Sequence, residues 1–328
     1  MANTVASSIR KELLNAFSKS EGSFISGQAL ADILGCSRTA VWKHIDELRK
    51  AGFEVEAVRK KGYRLLEKPD KLSENEVRIG LETKVLGQHI IHFESIDSTQ
   101  KVAQQAAYDS CPEGTVILAE EQTKGRGRMA RPWHSKKSDG IWMSIVLKPK
   151  LPPQKAPQFT LIAAVAVVQA IEETAGLSPE IKWPNDILLN GKKITGILTE
   201  LQAESDTINA LIIGIGVNVN QEDFPEELAG IATSLAIEKG EHISRVKLVQ
   251  SILRYLEKYY GIYMEQGFGP LKLLWESYAL SIGKRIIART LSGEVAGTAL
   301  GITSDGILRV MDDLGTVHDI YSADIELK

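Results

Sequence analysis

The apolar run Val116 to Ala119 reads as a buried strand. The chain leaves it through Gln122-Thr123-Lys124-Gly125-Arg126-Gly127-Arg128-Met129-Ala130-Arg131-Pro132-Trp133, and the sequence downstream of residue 70 is organised around that loop. Three arginines and a lysine fall within eight residues, so the loop is cationic wherever it points. Gly125 and Gly127 open backbone conformations closed to other residues and allow close approach to a ligand. A basic, glycine-hinged loop suits a multiply charged anion held by guanidinium forks and backbone N–H groups. A solvated basic surface loop is the plainer reading of the same residues. Gly125-x-Gly127-x-x-Ala130 imitates a dinucleotide fingerprint, but that motif opens a helix, and Pro132-Trp133-His134-Ser135 does not.

Charge is unevenly placed along the 328 residues. Residues 1–68 carry twelve Lys+Arg against eight Asp+Glu, or +4; the remainder carries 27 against 34, or −7, giving the net −3. A basic module on an acidic body is the pattern of an appended nucleic-acid binder. The length predicts two or three domains. Cys36 and Cys111 are too few for a disulfide framework, which fits a reducing cytoplasm. The N-terminus has no signal-peptide core, and Phe159 to Val168, the most apolar run, falls short of the roughly 20 residues a bilayer needs.

In the basic module, Ile9, Leu13, Leu14 and Phe17 mark one face of a helix over 7–17. A short helix over 26–35 ends in glycine, and Ser37 can cap a third, Arg38 to Lys50, with Val41, Ile45 and Leu48 inward. Arg38, Thr39, Lys43 and His44 stand on the exposed side near its start. Two short helices joined by a tight turn form a helix-turn-helix, whose second helix enters the major groove. Strands at 52–59 and 63–66 around Lys60-Lys61-Gly62 make a basic wing, with Arg59, Lys60 and Lys61 placed to touch phosphate. Scaffolding or protein docking is the competing use of such a module. Pro69-Asp70-Lys71 reads as the linker.

In the central region, a strand over 89–93 leads into Ser98, Thr99 and Gln100 at the start of an alanine-rich helix over 101–108. These polar groups can be caps, or can present neutral hydrogen-bonding groups to a small ligand. Ile141 to Lys148 alternates as a strand, and Thr160 to Ala175 is a buried helix. Pro184 keeps Trp183 extended, placing Asn185 and Asp186 at a strand exit. Asn190-Gly191 is a hairpin turn carrying Lys192 and Lys193, lysines that are solvated in the bland reading. Ala210 to Asn220 is a buried strand whose Gly214 and Gly216 mark close approach of a ligand or another backbone, with Asn218 and Asn220 on the same face. Amphipathic helices follow at 244–264 and 271–278. Four short strands from Arg285 to Ser322, with glycine turns about every ten residues, predict a small all-β barrel without an obvious catalytic constellation.

Four segments, in order, carry a resemblance: Gln122 to Arg128, Lys182-Trp-Pro-Asn-Asp186, Gly191-Lys-Lys-Ile-Thr-Gly-Ile-Leu198 and Gly214-Ile-Gly-Val-Asn-Val-Asn220. They resemble the biotin protein ligases, and with the helix-turn-helix the chain is similar to the bifunctional subgroup that also represses the biotin operon. The resemblance covers essentially the whole chain. It implies a multidomain α+β fold: a winged helix-turn-helix (1–68), a central mixed-sheet domain of the class II synthetase-like type (69–278) and a small SH3-like β-barrel (279–328). It implies that biotin and ATP give biotinyl-AMP, whose biotinyl group passes to a lysine of a carrier domain. Lys193 then stands between carboxylate and α-phosphate, and Arg126 and Arg128 fold onto the ligand. Ser98, Thr99, Gln100 and Gln122 anchor biotin, and Gly127, Gly214, Gly216 and Asn218 complete the substrate-binding set. Mg²⁺ accompanies ATP, with Asn185 and Asp186 as its neighbours. The implied partners are the biotin carboxyl carrier domain of acetyl-CoA carboxylase, operator DNA of biotin genes and a second copy of the chain, with no membrane. The resemblance names no base for the acceptor lysine. A non-catalytic biotin sensor and a lipoate-type ligase are the competing classes; the intact Lys193, Arg126 and Arg128 speak against the first, and the Gly-Arg-Gly-Arg loop and winged helix against the second.

Overall fold

The computed structural model describes residues 2–20, 22–50, 53–67, 70–204 and 206–328. It divides into two compact units, Met1–Gly80 and Leu81–Lys328. Gly52 of the expected first wing strand and Pro69 of the expected linker lie outside the described residues.

The first unit packs α1 (Ala2–Lys19), α2 (Gly27–Leu34) and α3 (Arg38–Lys50) around Leu13, Leu14, Phe17, Leu30, Val41, Ile45 and Leu48. Ser26 caps α2 by accepting from the Ala29 amide, and Gly35, left-handed at φ 59°, ends it. The wing is the antiparallel pair β1 (Glu54–Val58) and β2 (Gly62–Glu67). Ile25 adds a bridge by exchanging both backbone hydrogen bonds with Tyr63. Gly62 is required there: at φ 111°, a Cβ would lie 2.0 Å from the Ile25 carbonyl oxygen. A short helix, α4 (Glu74–Arg78), which the sequence reading did not anticipate, completes the unit.

The second unit is built on a seven-stranded mixed sheet. Its strands are β3 (Ile90–Phe93), β4 (Val116–Ala119), β5 (Gly140–Leu147), β6 (Glu180–Lys182), β7 (Asp186–Leu189), β8 (Lys192–Glu204) and β9 (Thr207–Asn218), in the order β3-β4-β5-β9-β8-β7-β6. Only β3 and β4 run parallel; the other pairs are antiparallel. Between β3 and β4 the chain forms α5 (Thr99–Tyr108), and between β5 and β6 it forms α6 (Ala156–Ala175). α7 (Leu235–Lys239), α8 (Arg245–Gln266) and α9 (Gly269–Tyr278) follow β9.

Helices cover both faces of the sheet. Ala103 and Ala107 of α5 pack with Ile117, Val146, Ala210 and Ile212 on one face. α6 covers the other, where Thr160 donates to Thr199 of β8. That double cover is why all eight residues of β5 are buried, although the sequence alternates. α6 with its preceding turn, Pro153–Ala175, is long and apolar enough by length and composition to cross a bilayer, but fourteen of its twenty helical residues are buried in protein.

The C-terminal strands β10 (Arg285–Thr290), β11 (Gly293–Ile302), β12 (Leu308–Met311), β13 (Val317–Ile320) and β14 (Asp324–Leu327) form one antiparallel sheet in the order β13-β12-β11-β10-β14. β14 is one strand more than the glycine turns predict, and it pairs back on β10 at the sheet edge.

Candidate active site

One cleft of about 520 Å³ gathers most of the residues singled out above. Its floor is the open half of the sheet, where Gly196, Gly214 and Gly216 leave room. A Cβ on Gly214 would lie 2.6 Å from Gln100 Oε1; on Gly216, 2.5 Å from Trp133 Nε1; on Gly196, 2.9 Å from the same indole. The glycines therefore admit α5 and the returning arm of the basic loop, as close approach predicts.

The neutral end is at the start of α5. Ser98 occupies the cap position and is buried, but its hydroxyl makes no cap hydrogen bond, so capping does not account for it. The Thr99 amide and hydroxyl both donate to Gln122 Oε1, at 2.9 and 3.1 Å, and the Thr99 hydroxyl also lies 2.9 Å from that of Ser144. Ser144 donates to Gln100 Oε1 at 2.9 Å, and Gln122 Nε2 donates to the Ser135 hydroxyl at 3.0 Å. This network fixes uncharged donors and acceptors beside apolar sheet. Ser144 is a member the sequence reading missed, because a serine inside an apolar strand gives no distinguishing pattern.

The cationic end lies where β7 and β8 turn. Asn190 (φ 50°) and Gly191 (φ 78°) are both left-handed, the requirement of a tight hairpin turn, and the hairpin holds Lys193 over the cleft. Lys193 is not simply solvated. Its Nζ is 2.7 Å from Asp186 Oδ1 and 5.2 Å from the centre of the Trp133 ring. Its backbone is clamped by a parallel bridge to Ala232. Arg128 donates to Asn185 Oδ1 at 2.9 Å and to the Ser322 hydroxyl at 2.7 Å. Burial pushes its guanidinium below the ordinary arginine value, and Asp186 and Asp324 act against that.

Arg126 also lines the cleft and is paired with an acid. It donates to Glu200 at 3.1 and 3.3 Å, and Gln104 holds the same carboxylate at 2.9 Å. The loop is not hinged as its glycines predict. The left-handed residues are Met129 (φ 54°) and Ala130 (φ 55°), around a single 3-10 turn. Gly125 is needed instead for contact: a Cβ there would lie 2.6 Å from the Trp133 carbonyl oxygen. Backbone bonds from Gly127 N–H to Arg131 O and from Trp133 N–H to Gly125 O staple the loop into a hairpin.

Asn218 lines the cleft while donating to the Thr233 carbonyl at 3.1 Å, so it anchors the segment 221–233. That segment contributes Phe224, Leu228 and Ile231 to the cleft wall. Asn185 spends its amide on Ile197 O and its oxygen on Arg128. Among the described residues no group of three His, Cys, Asp or Glu could hold a metal ion alone.

The order of domains along the chain matches that of known proteins. The Biotin/lipoate A/B protein ligase family matches residues 92–218, an HTH domain 10–64 and a Biotin protein ligase C terminal domain 281–328. The bifunctional ligase/repressor BirA of Bacillus subtilis is 59% identical over 98% of this chain and 99% of its own. The chain belongs to the bifunctional biotin ligase/repressor family. BirA of Escherichia coli is 27% identical over 94% of each chain. A biotin protein ligase from Aquifex aeolicus, solved in complex with biotin and ATP, superposes with a TM-score of 0.64 at 30% identity, covering 74% of this chain and 99% of that one.

Within this ligase/repressor chain, the C-terminal sheet reaches the cleft, which its sequence did not foretell. Asp324 lines it and takes two hydrogen bonds from Arg131, at 2.5 and 3.4 Å, while Ser322 takes one from Arg128. The Arg131 guanidinium holds the Asp324 carboxyl below the usual carboxylate range. Trp133 is the other omission: it packs edge-on to Trp142, 6.5 Å between ring centres, and lays its face under the Lys193 ammonium.

The residues expected to face DNA are mostly exposed. Arg38, Thr39 and Lys43 of α3 and Arg59, Lys60 and Lys61 of the wing are exposed. His44 is half-buried, with Nδ1 3.0 Å from Glu47 Oε2.

Proposed function

We propose that the chain is an ATP-dependent biotin protein ligase and a transcriptional repressor that uses its own reaction intermediate as corepressor. The observation that carries the first half is the two-ended cleft. Neutral anchors Ser98, Thr99, Gln100 and Gln122 suit an uncharged ureido ring against apolar sheet, and Lys193 and Arg128 at the other end suit two anions brought together. A cleft near 520 Å³ is within the range of roughly 300–1,000 Å³ for small-molecule sites.

In the first step the biotin carboxylate oxygen attacks the α-phosphorus of ATP, and the bond to pyrophosphate breaks. Lys193 neutralises the carboxylate and the gathering phosphate charge, and Asp186 and Trp133 keep its ammonium in place. Arg128 holds the phosphate side. In the second step the amine of a carrier lysine attacks the acyl carbon, AMP departs with the bonding pair, and the amine loses a proton. The basic loop lies over the mixed anhydride and limits its exposure to water. Mg²⁺ accompanying ATP would lie beside Asn185 and Asp186, where it would offset phosphate charge during the attack. The carrier is the biotin carboxyl carrier domain of acetyl-CoA carboxylase.

Residues 1–68 form the operator-binding part, 69–278 the catalytic part and 279–328 a β domain that holds the loop through Ser322 and Asp324. A homodimer places two winged helices on two half-sites of operator DNA from biotin genes, and biotinyl-AMP favours that state. Two free cysteines suit the cytoplasm. Two assays test the reading. The full chain with biotin and ATP labels one lysine of a carrier domain, read by intact mass. Footprinting of biotin-gene DNA gives protection that strengthens with biotin and ATP; equal protection without them removes the corepressor, and none at all removes the repressor.

A further inference from the structure

The recognition helix carries its most exposed apolar surface where a base-reading face would be. Trp42 is 55% exposed, and among the described residues no hydrogen bond, ion pair or ring contact holds its indole. It belongs to the stripe Thr39, Trp42, Lys43, Asp46, spaced i, i+3, i+4, i+7, which lies on one side of α3, away from the buried Val41, Ile45 and Leu48. Leaving a large aromatic side chain in water is unfavourable by its apolar area, so a partner that covers it gains.

The surroundings specify that partner. Lys43 on the stripe and Arg59, Lys60 and Lys61 on the wing are exposed cations, in a stretch whose net charge is +4 within an otherwise acidic chain. The complementary surface is polyanionic duplex with apolar groups in its groove. The flanking candidates differ in orientation and pairing. The Arg38 guanidinium leans toward the start of α2, its Nε 3.8 Å from where a Gly27 Cβ would stand, and His44 is paired with Glu47. Asp46 is tied to Lys50 at 2.7 Å, which tempers its repulsion of phosphate.

We propose that Trp42 is a specificity-determining residue of the operator-binding face, laying its indole against the C5-methyl of a thymine in the major groove. Apolar contact with that methyl distinguishes thymine from every other base. Thr39 and Lys43 then flank the contact, and Arg38 and His44 serve position rather than base choice. This rests on the DNA-binding reading above, and the test separates the two.

Full-length protein with biotin and ATP is used to select duplexes from a randomised pool. Affinity is then measured for the selected duplex and for copies in which each thymine is replaced singly by deoxyuridine, removing only the methyl group. For the wild type, one thymine per half-site is expected to show about a fourfold loss, the ~0.8 kcal/mol of one buried methyl group. Trp42→Ala loses overall affinity, shows no loss at that deoxyuridine, and keeps the wild-type salt slope. Carrier biotinylation by Trp42→Ala stays at the wild-type level, which reports an intact chain. If no thymine matters to the wild type, or the deoxyuridine loss persists in Trp42→Ala, the assignment to Trp42 is overturned while DNA binding stands. If the wild type enriches no sequence, the DNA-binding reading falls and takes this inference with it.

Discussion

Lys193 Nζ lies 2.7 Å from Asp186 Oδ1, joining the two strands of the hairpin that borders the cationic end of the cleft. The pair is half-buried, and the carboxylate both orients the ammonium and offsets its charge until a ligand arrives. Asp186→Asn removes the charge and keeps the shape. It should slow biotinyl-AMP formation about tenfold, near 1.4 kcal/mol of barrier, with biotin affinity unchanged. Rapid-quench measurement of adenylate formation reads the first quantity and titration calorimetry the second; a loss confined to biotin affinity would transfer the pair to binding.

Arg126 and Arg128 should separate in function because they engage different partners. Arg128→Ala removes a cation beside Asn185 and should weaken retention of biotinyl-AMP by about ten- to a hundredfold, as a hydrogen bond to a charged group of ~1.5–3 kcal/mol implies. Its effect on free biotin should be smaller. Arg126→Ala frees Glu200 and loosens the loop, so biotin and a non-hydrolysable adenylate analogue should lose affinity by similar factors. Selective loss of the analogue in Arg126→Ala would return that arginine to the phosphate.

Gly216→Ala places a methyl group where the Trp133 indole rests, 2.5 Å from Nε1. The strand itself tolerates alanine, so melting temperature should change little. The indole and its loop must move, and Lys193 loses its aromatic support, a cation–π contact of about 0.5–2 kcal/mol. Adenylate affinity should therefore fall several-fold. An unaltered affinity would mean that Trp133 is packing alone.

Deeper in the unit, Arg245 and Glu120 form a buried ion pair at 2.8 Å, each 1% exposed, and Arg245 also donates to the Gly140 carbonyl. Arg245→Met removes the carboxylate's close cationic partner and leaves a buried charge with His92 Nε2 at 3.7 Å, which should destabilise the unit by about 3–5 kcal/mol. At about 2–4 °C per kcal/mol for a unit of this size, the melting temperature should fall by on the order of 10 °C. Double replacement with Glu120→Gln should recover part of that loss; no recovery would mean that packing, not charge, dominates.

Much of this was legible because it is local. The Asn190-Gly191 turn, the glycine-marked strand β9 and the recognition helix α3 each follow from periodicity and turn chemistry within a dozen residues. What escaped depends on partners far apart in the chain. Arg131 meets Asp324 across 193 positions, and nothing in the sequence separates Asp324 from the other surface acids. Arg126, which the resemblance places on the phosphate, is paired with Glu200 across 74 positions. The glycines of the basic loop suggested a hinge, whereas the left-handed turns fall on Met129 and Ala130, and Gly125 serves close contact. Trp133 read as the tail of a motif until the sheet placed two glycines, Gly196 and Gly216, under it.

The most direct test is biotin-dependent exchange of pyrophosphate into ATP by the wild type and by Lys193→Ala. The account predicts exchange by the wild type that requires biotin, and a fall of well over tenfold in Lys193→Ala with the melting temperature unchanged. A variant retaining more than about a tenth of wild-type exchange, a barrier change below roughly 1.4 kcal/mol, would contradict the assignment of Lys193 as the cation that brings carboxylate and phosphate together.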